Sequence, residues 1–183
     1  KRTVGFSGAD LENMLNESAI LAARGNKKEI DMLDLEEAAT KVKLGPEKKR
    51  LQSDLDRKMT AYHEAGHAVV SYFSPYLDIV HRISIVSRGM ALGYTLSPPE
   101  KDRLHETKSH LIDEIAMTMG GRAAEEIIFH EQTSGAANDI DQATRIARYI
   151  VTEFGMSELG PINFGPQMDA TEWGKQFMDQ PQI

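Results

Sequence analysis

The 183-residue sequence contains no cysteine, which excludes disulfide bonds and a zinc site with thiolate ligands. It also lacks a long apolar segment, so we expect a soluble chain without a membrane-spanning helix or a signal peptide. The chain has 21 Lys and Arg residues and 28 Asp and Glu residues, which gives a net charge of −7. Basic residues are therefore too few to form a basic surface. We therefore expect no nucleic-acid partner, because phosphate binding favours positive charge.

The first 45 residues predict a pair of helices. Ser7 and Asp31 are typical N-terminal caps, and apolar residues follow each of them at helical spacing. The polar segment from Gly45 to Arg50 then interrupts the periodicity, and we interpret it as a solvated linker. It divides the chain into two parts, residues 1–45 and 46–183.

The second part predicts a mainly α-helical domain with one small β hairpin. A long helix begins at Ser53 or Asp54 and ends before Pro75. Helical patterns also cover residues 107–127 and 140–154, while residues 80–86 and 92–96 alternate like the strands of a hairpin, and the sequence after Gly160 is typical of a loop. Because the periodicity continues through Gly120-Gly121, we favour one helix with a close backbone contact there over two helices and a turn.

The most informative motif is His63-Glu64-Ala65-Gly66-His67, the HExxH pattern of zinc peptidases. Residues four apart share a helical face, so both imidazoles can bind one ion. Glu64 can then act as a general base on the water that zinc activates. The alternative is a polar stripe on a surface helix. Apolar flanking residues such as Val69 and Phe73 instead indicate a largely buried helix, in which polar groups need partners.

The residues alone leave the third zinc ligand open. The candidates are four imidazoles and four carboxylates: His81, His105, His110, His130, Glu125, Glu126, Asp139 and Asp141. His105, His110 and His130 are more typical of surface residues. Glu125 and Glu126 are analogous to the glutamate that a later helix supplies in other zinc peptidases. Asp139 follows a loop of small residues at a helix start, where an anionic side chain is favoured but could equally be a cap.

Four blocks of this sequence resemble the FtsH family of membrane-anchored, ATP-dependent zinc proteases. They are TAYHEAGHA at residues 60–68, ALGYT at 91–95, GGRAAEE at 120–126 and TSGAANDI at 133–140. The blocks occur in the family's order and cover most of residues 56–162. The resemblance implies one zinc ion per chain, held by His63, His67 and Asp139, with Glu64 as the base. It places Glu125 and Glu126 on a structural helix near the site, and either glutamate is the alternative ligand.

The segment from Gly5 to Leu11 resembles the last part of an AAA ATPase lid, in which Gly8 and Ala9 would approach bound nucleotide. The chain has no GxxxxGK[ST] phosphate-binding loop, so ATP and Mg²⁺ are expected only in a longer protein. The resemblance implies a hexamer of identical chains and a membrane anchor outside this sequence. The protease domain would lie on the cytoplasmic, matrix or stromal side. We expect residues 46–183 to be a C-terminally incomplete protease domain, because Trp173–Ile183 does not match the family.

Residues Leu92, Gly93, Tyr94 and Thr95 have the marks of an edge strand, since they include a glycine and precede Pro98-Pro99. Such a strand could pair with an extended polypeptide substrate. We therefore expect a zinc endopeptidase that degrades unfolded or membrane proteins. An inactive scaffold of an AAA complex and a zinc hydrolase acting on a small amide are the alternatives. The intact Glu64 argues against the scaffold.

Overall fold

The computed structural model describes residues 3–89, 91–99 and 103–163. Its helices are α1 (Gly8–Arg24), α2 (Met32–Leu44), α3 (Asp54–Phe73), α4 (Lys108–Phe129) and α5 (Ala137–Thr152), and its strands are β1 (Arg82–Ser84) and β2 (Tyr94–Leu96). The predicted mainly helical fold with one small hairpin is confirmed. None of the described helices combines the length and the apolar character needed to cross a membrane. Most of the loop predicted after Gly160 lies outside the described residues.

Backbone contacts divide the chain into two compact units, residues 1–143 and 144–183. The first unit contains α1 to α4, the hairpin and the start of α5. In the described part of the second unit, the rings of Tyr149 and Phe154 lie 6.1 Å apart at the end of α5.

Local hydrogen bonds determine where the first three helices begin. The side chains of Ser7, Asp31 and Ser53 each accept a hydrogen bond from the backbone N–H three residues later. The acidic residue at that later position accepts a bond from the cap in return. This reciprocal capping satisfies backbone donors that have no partner within the helix, and each cap contributes about 1 kcal/mol.

Helices α1 and α2 form a pair with a small core of its own. Met14, Ala38 and Ala39 are buried between them, and Phe6, Leu21, Leu35 and Val42 pack around these three residues. Lys41 on α2 also forms an ion pair with Glu17 on α1. The predicted helix pair at the start of the chain is therefore present.

Helices α3 and α4 make the most extensive contact of the fold. A Cβ atom placed on Gly120 would lie only 2.7 Å from the carbonyl oxygen of Gly66. Glycine at both positions therefore allows the two backbones to touch. The prediction of one continuous helix with a close contact at the glycine pair is confirmed, because α4 runs unbroken through Gly120 and Gly121.

The expectation that α3 is largely buried is wrong. Val69, Tyr72 and Phe73 retain 56%, 80% and 78% of their accessible surface. The reason is that α3 packs on α4 and on two short strands, which leaves part of its apolar surface uncovered in the described structure. Burial is instead concentrated at polar positions of α3, including Glu64.

The hairpin pairs β1 and β2 antiparallel, with Arg82 opposite Leu96 and Ser84 opposite Tyr94. Both strands are shorter than the segments that the sequence predicts, because regular pairing stops before the turn at Arg88-Gly89. Within the described residues the sheet has two strands, so the second edge of β2 has no strand beside it. Both strands of the hairpin contact α3.

Candidate metal centre

Two imidazoles and one carboxylate converge at a single point between α3 and α5. The Nε2 atoms of His63 and His67 lie 3.0 Å apart, and Oδ2 of Asp139 lies 3.1 Å from the first and 3.6 Å from the second. Among the described residues these three form the group with the geometry to hold a metal ion. All three side chains are mostly shielded from solvent.

Each candidate ligand is positioned by a regular element. The two histidines are four residues apart on α3 and therefore project from one face. Asp139 lies in the first turn of α5, directly after a short 3₁₀ turn at Ser134–Ala136. Thr133 caps that turn, since its side chain accepts a hydrogen bond from the N–H of Gly135. The cap orients the short loop that brings Asp139 to the histidines.

The second nitrogen of each imidazole is already engaged by an acceptor. Nδ1 of His67 lies 2.8 Å from the carbonyl oxygen of Met117, and Nδ1 of His63 lies 2.8 Å from Oε1 of Glu125. A carbonyl or carboxylate oxygen can only accept, so Nδ1 must carry the hydrogen. In the neutral imidazoles the two Nε2 lone pairs then face each other and Asp139, an arrangement that needs a cation between them.

Glu125 connects the histidine to the loop before Asp139. Its carboxylate is buried and accepts hydrogen bonds from both the N–H and the hydroxyl of Thr133, at 3.1 and 3.0 Å. Burial lowers the pKa of His63, but the neighbouring carboxylates of Asp139 and Glu125 favour the protonated imidazole and outweigh that effect, so the pKa is raised overall. Glu125 thus contacts one candidate ligand directly and also the loop that leads to another.

The space between the ligands is left open by Gly121. A Cβ atom at this position would lie 2.6 Å from Nε2 of both His63 and His67. Two ligand atoms bound to zinc at 2.0–2.1 Å in tetrahedral geometry are separated by about 3.3 Å, and the observed separations of 3.0 to 3.6 Å span this value. The two imidazoles, the Asp139 carboxylate and the space that Gly121 leaves beside them therefore fit a zinc ion.

Glu64 is buried between the histidines and the hairpin. The hydroxyl of Thr95 lies 2.8 Å from Oε2 of Glu64 and donates to it. Burial raises the pKa of the Glu64 carboxyl, and the Thr95 hydrogen bond opposes this rise. Gly93 permits the close approach of the chain before β2, because a Cβ atom there would lie 2.8 Å from Oε1 of Glu64. A carboxylate of raised pKa beside a zinc site is suited to accept a proton.

Comparison with known families agrees with this geometry. The model of Peptidase family M41 matches residues 50–183, so the expectation that Trp173–Ile183 does not match the family is wrong. The chain belongs to peptidase family M41. A second family model, the AAA+ lid domain, matches residues 1–37 of this M41 chain.

Curated relatives of the M41 chain are zinc metalloproteases. It is 52% identical over 182 residues to the ATP-dependent zinc metalloprotease FtsH 1 of Sphaerobacter thermophilus. The aligned residues make up 98% of the chain and 28% of the relative. It is 54% identical over 172 residues to FtsH 3 of Symbiobacterium thermophilum, covering 92% of the chain and 28% of the relative. FtsH of Thermus thermophilus is 53% identical over 171 residues, 92% of the chain and 27% of the relative. The chain thus spans just over a quarter of the length of these relatives.

The remaining ligand candidates of the M41 chain do not join the cluster. The exposed ones are His81, His105, His130, Glu126 and Asp141. Nδ1 of His110 lies 2.6 Å from a carboxylate oxygen of Glu106. Glu125, the alternative third ligand, lies behind His63 on its Nδ1 side rather than at the convergence of the Nε2 atoms. Sequence reasoning had no signal for this bracing contact, because it depends on how α4 packs against α3.

The other positions selected from the sequence are distributed over two elements. Gly8 and Ala9 are exposed and form the first two residues of α1. Tyr94 and Thr95 belong to β2, whereas Leu92 and Gly93 immediately precede it.

Proposed function

We propose that the chain contains the protease domain of an ATP-dependent zinc endopeptidase. The observation that carries this proposal is the convergence of His63, His67 and Asp139 over Gly121, with the Glu64 carboxylate beside them. The family supports it, since the curated relatives are named ATP-dependent zinc metalloproteases. The substrates would be unfolded or membrane proteins delivered by an attached AAA ATPase ring.

In this proposal His63, His67 and Asp139 hold zinc. The bound ion supplies Lewis-acid polarisation of the scissile carbonyl and makes water more acidic. Glu125 and the Met117 carbonyl hold the imidazoles so that both Nε2 lone pairs point at the ion. The ligand set would place one negative charge, from Asp139, on the ion, and a zinc ion held by three protein ligands would remain accessible to water or substrate.

Glu64 serves as the general base. Its carboxylate takes a proton from the attacking water and later gives that proton to the nitrogen of the leaving amine. Because burial raises its pKa, the carboxylate is a better proton acceptor than an exposed glutamate. The Thr95 hydroxyl keeps Oε2 in place, so that the base does not turn away from the histidines.

The substrate would lie along β2. Its free edge offers backbone N–H and C=O groups to an extended peptide, with Leu92, Gly93, Tyr94 and Thr95 as the contacting residues. Backbone pairing does not depend on substrate sequence, which suits an enzyme supplied by an unfolding motor. Because Thr95 also contacts Glu64, a peptide on this strand would lie beside the base.

The organisation of the whole protein is part of the proposal. Residues 1–45 would be the end of an AAA lid, with Gly8 and Ala9 near nucleotide, and residues 46–183 the protease domain. The family matches at residues 1–37 and 50–183 support this division. A hexameric ring and a membrane anchor would be supplied by the longer protein.

Digestion of unfolded casein with and without a chelator tests the proposal, together with elemental analysis. The expected result is one zinc ion per chain and cleavage that the chelator abolishes and added zinc restores. A zinc-loaded chain that cleaves neither casein nor peptides would indicate a scaffold. A chain that cleaves small amides but not polypeptides would indicate the small-amide hydrolase. Both outcomes contradict the endopeptidase proposal.

A further inference from the structure

A buried arginine connects the helix pair at the start of the chain to the hairpin. Only 3% of the Arg88 side chain is exposed. Its Nη2 atom donates to Glu37 on α2 and, at 2.8 Å, to Glu47 after that helix. Its Nη1 atom lies 3.4 Å from the carbonyl oxygen of Gly45. One guanidinium therefore contacts three groups that belong to α2 or to the segment that follows it.

The backbone around Arg88 pairs with the same segment. The N–H of Lys48 donates to the carbonyl of Ser87 at 2.9 Å, and Glu47 forms an antiparallel bridge with Arg88 itself. The segment that the sequence identifies as a solvated linker has exposed side chains at residues 46–50. The backbone of this segment is nevertheless hydrogen-bonded to the hairpin turn.

The hairpin turn is also connected to Glu64, the candidate base. The backbones of Arg88 and Ala91 exchange hydrogen bonds of 3.1 and 2.8 Å, and the Ser87 hydroxyl donates to the carbonyl of Leu92 at 3.1 Å. Three residues beyond Leu92, the hydroxyl of Thr95 contacts Glu64. Hydrogen bonds at each end and the three-residue stretch of chain from Leu92 to Thr95 thus connect Arg88 to the base.

We propose that Arg88 is a positioning residue for the peptidase reaction. It holds the turn before β2 against α2 and thereby keeps Thr95 in contact with Glu64. A buried guanidinium needs its carboxylates, since an unpaired buried charge is costly. Arginine suits this role because its planar fork can reach Glu37 and Glu47 together, which a lysine ammonium cannot do with the same fixed geometry. The proposal rests on the proposed function, because it concerns the base of that reaction.

Arg82 provides a matched control. It lies on β1 and pairs with Glu36 of the same helix α2, so it also joins the hairpin to the lid. That contact is an ion pair of 3.5 Å between an arginine side chain that is 35% exposed and a glutamate side chain that is 17% exposed, and a long ion pair that solvent still reaches contributes little. Replacing Arg82 removes the same charge from the same interface without touching the turn.

A double-mutant cycle tests the proposal on the zinc-loaded chain, with peptide hydrolysis as the assay. Arg88→Gln and Thr95→Val should each lower kcat about tenfold, as expected for losing a hydrogen bond to a charged group. If Arg88 acts through Thr95, the double variant should be no slower than the Thr95→Val variant. Arg88→Lys should recover part of the loss, and Arg82→Gln should remain within about twofold of the unmodified chain. Independent losses that multiply to about a hundredfold would overturn the proposal, and so would an equal loss in the Arg82 variant.

Hydrogen exchange supplies a second readout that does not require activity. Arg88→Gln should speed amide exchange in residues 91–96 while α4 remains protected. Unchanged exchange in residues 91–96 would overturn the proposal. If Arg88→Gln does not fold, Glu37→Gln removes one carboxylate and should give a smaller effect of the same kind. An unmodified chain that cleaves no peptide would contradict the proposed function, whereas the exchange experiment would still decide the role of Arg88.

Discussion

Gly66 and Gly120 bring α3 and α4 into backbone contact one residue away from the candidate metal centre. A Cβ atom on Gly66 would overlap the carbonyl oxygen of Gly120 and would lie 2.7 Å from Cβ of Ala124. The neighbouring residue Gly121 then lies directly against the imidazoles of His63 and His67. The helix crossing and the metal centre therefore depend on the same short stretch of α4.

Replacing Gly66 with alanine should destabilise the fold. The added methyl group has no room between the helices, and overpacking of this kind costs about 1–3 kcal/mol. Chemical denaturation of the metal-free chain measures the change in the free energy of unfolding. Gly8→Ala is the control, because a Cβ atom there meets nothing within 4 Å, and its effect should stay within about 1 kcal/mol. Equal stability of the two variants would contradict the close contact.

Replacing Gly121 with alanine should abolish zinc binding while the helices remain. The new Cβ atom would lie 2.6 Å from both Nε2 atoms, so the imidazoles must turn away from each other. Zinc titration measures the affinity, and circular dichroism measures the helix content. Normal zinc affinity with an intact fold would show that the ion does not lie over Gly121.

Three carboxylate variants distinguish a residue that binds the metal from a residue that only orients a metal ligand. Asp139→Asn should weaken zinc binding most, because it replaces an anionic ligand with a neutral amide. Glu125→Gln should have a smaller effect of about 10–100-fold, as expected for a residue that orients a ligand. Glu126→Gln is the exposed control and should bind zinc normally. A larger loss for Glu125→Gln than for Asp139→Asn would assign the ligand role to Glu125.

Glu64→Gln should keep zinc and lose activity. The amide is nearly the same shape but cannot accept the proton, and loss of a general base costs about 10²–10⁴-fold. Metal content and the rate of casein cleavage are measured on the same preparation. A variant that is free of metal would show that Glu64 is a ligand, and a fully active variant would show that it is not the base.

Proline substitutions in β2 test the substrate strand. Neighbouring residues direct their N–H groups to opposite edges, so one of Tyr94→Pro and Thr95→Pro removes a donor from the free edge. That variant should raise KM for casein with zinc retained, and the other should weaken the β1 pairing. Thr95→Val and Tyr94→Ala control for the lost side chains. Normal cleavage by both proline variants, folded and zinc-loaded, would contradict a substrate role for this strand.

The sequence predicts local features of this fold well. Ser7, Asp31 and Ser53 were identifiable as caps because each bond connects residues only three positions apart. The histidine pair is likewise set by one turn of α3. The contact between Gly120 and another backbone was also predictable, because a glycine pair inside a helical pattern indicates a neighbour at close range.

Contacts between distant parts of the chain were less accessible. From the residues alone, the choice between Glu125 and Asp139 as third ligand was open, since both are carboxylates more than fifty residues from His67. Their different positions follow from the crossing of α3 and α4, which the sequence does not specify. The exposure of Val69 and Phe73 was missed for the same reason, because apolar character alone does not show which residues have a partner.

The burial of Arg88 has a consequence for how fragments of this protein are prepared. A fragment that begins at residue 50, where the M41 match starts, would lack both Glu37 and Glu47. The guanidinium would then lose its counter-charges and the α2 surface that covers it, so the hairpin turn would have no neighbour to hold it. Such a truncated protease would be expected to express poorly or to aggregate through its opened hairpin turn. The shortest useful expression boundary therefore lies before α2 rather than at the family border.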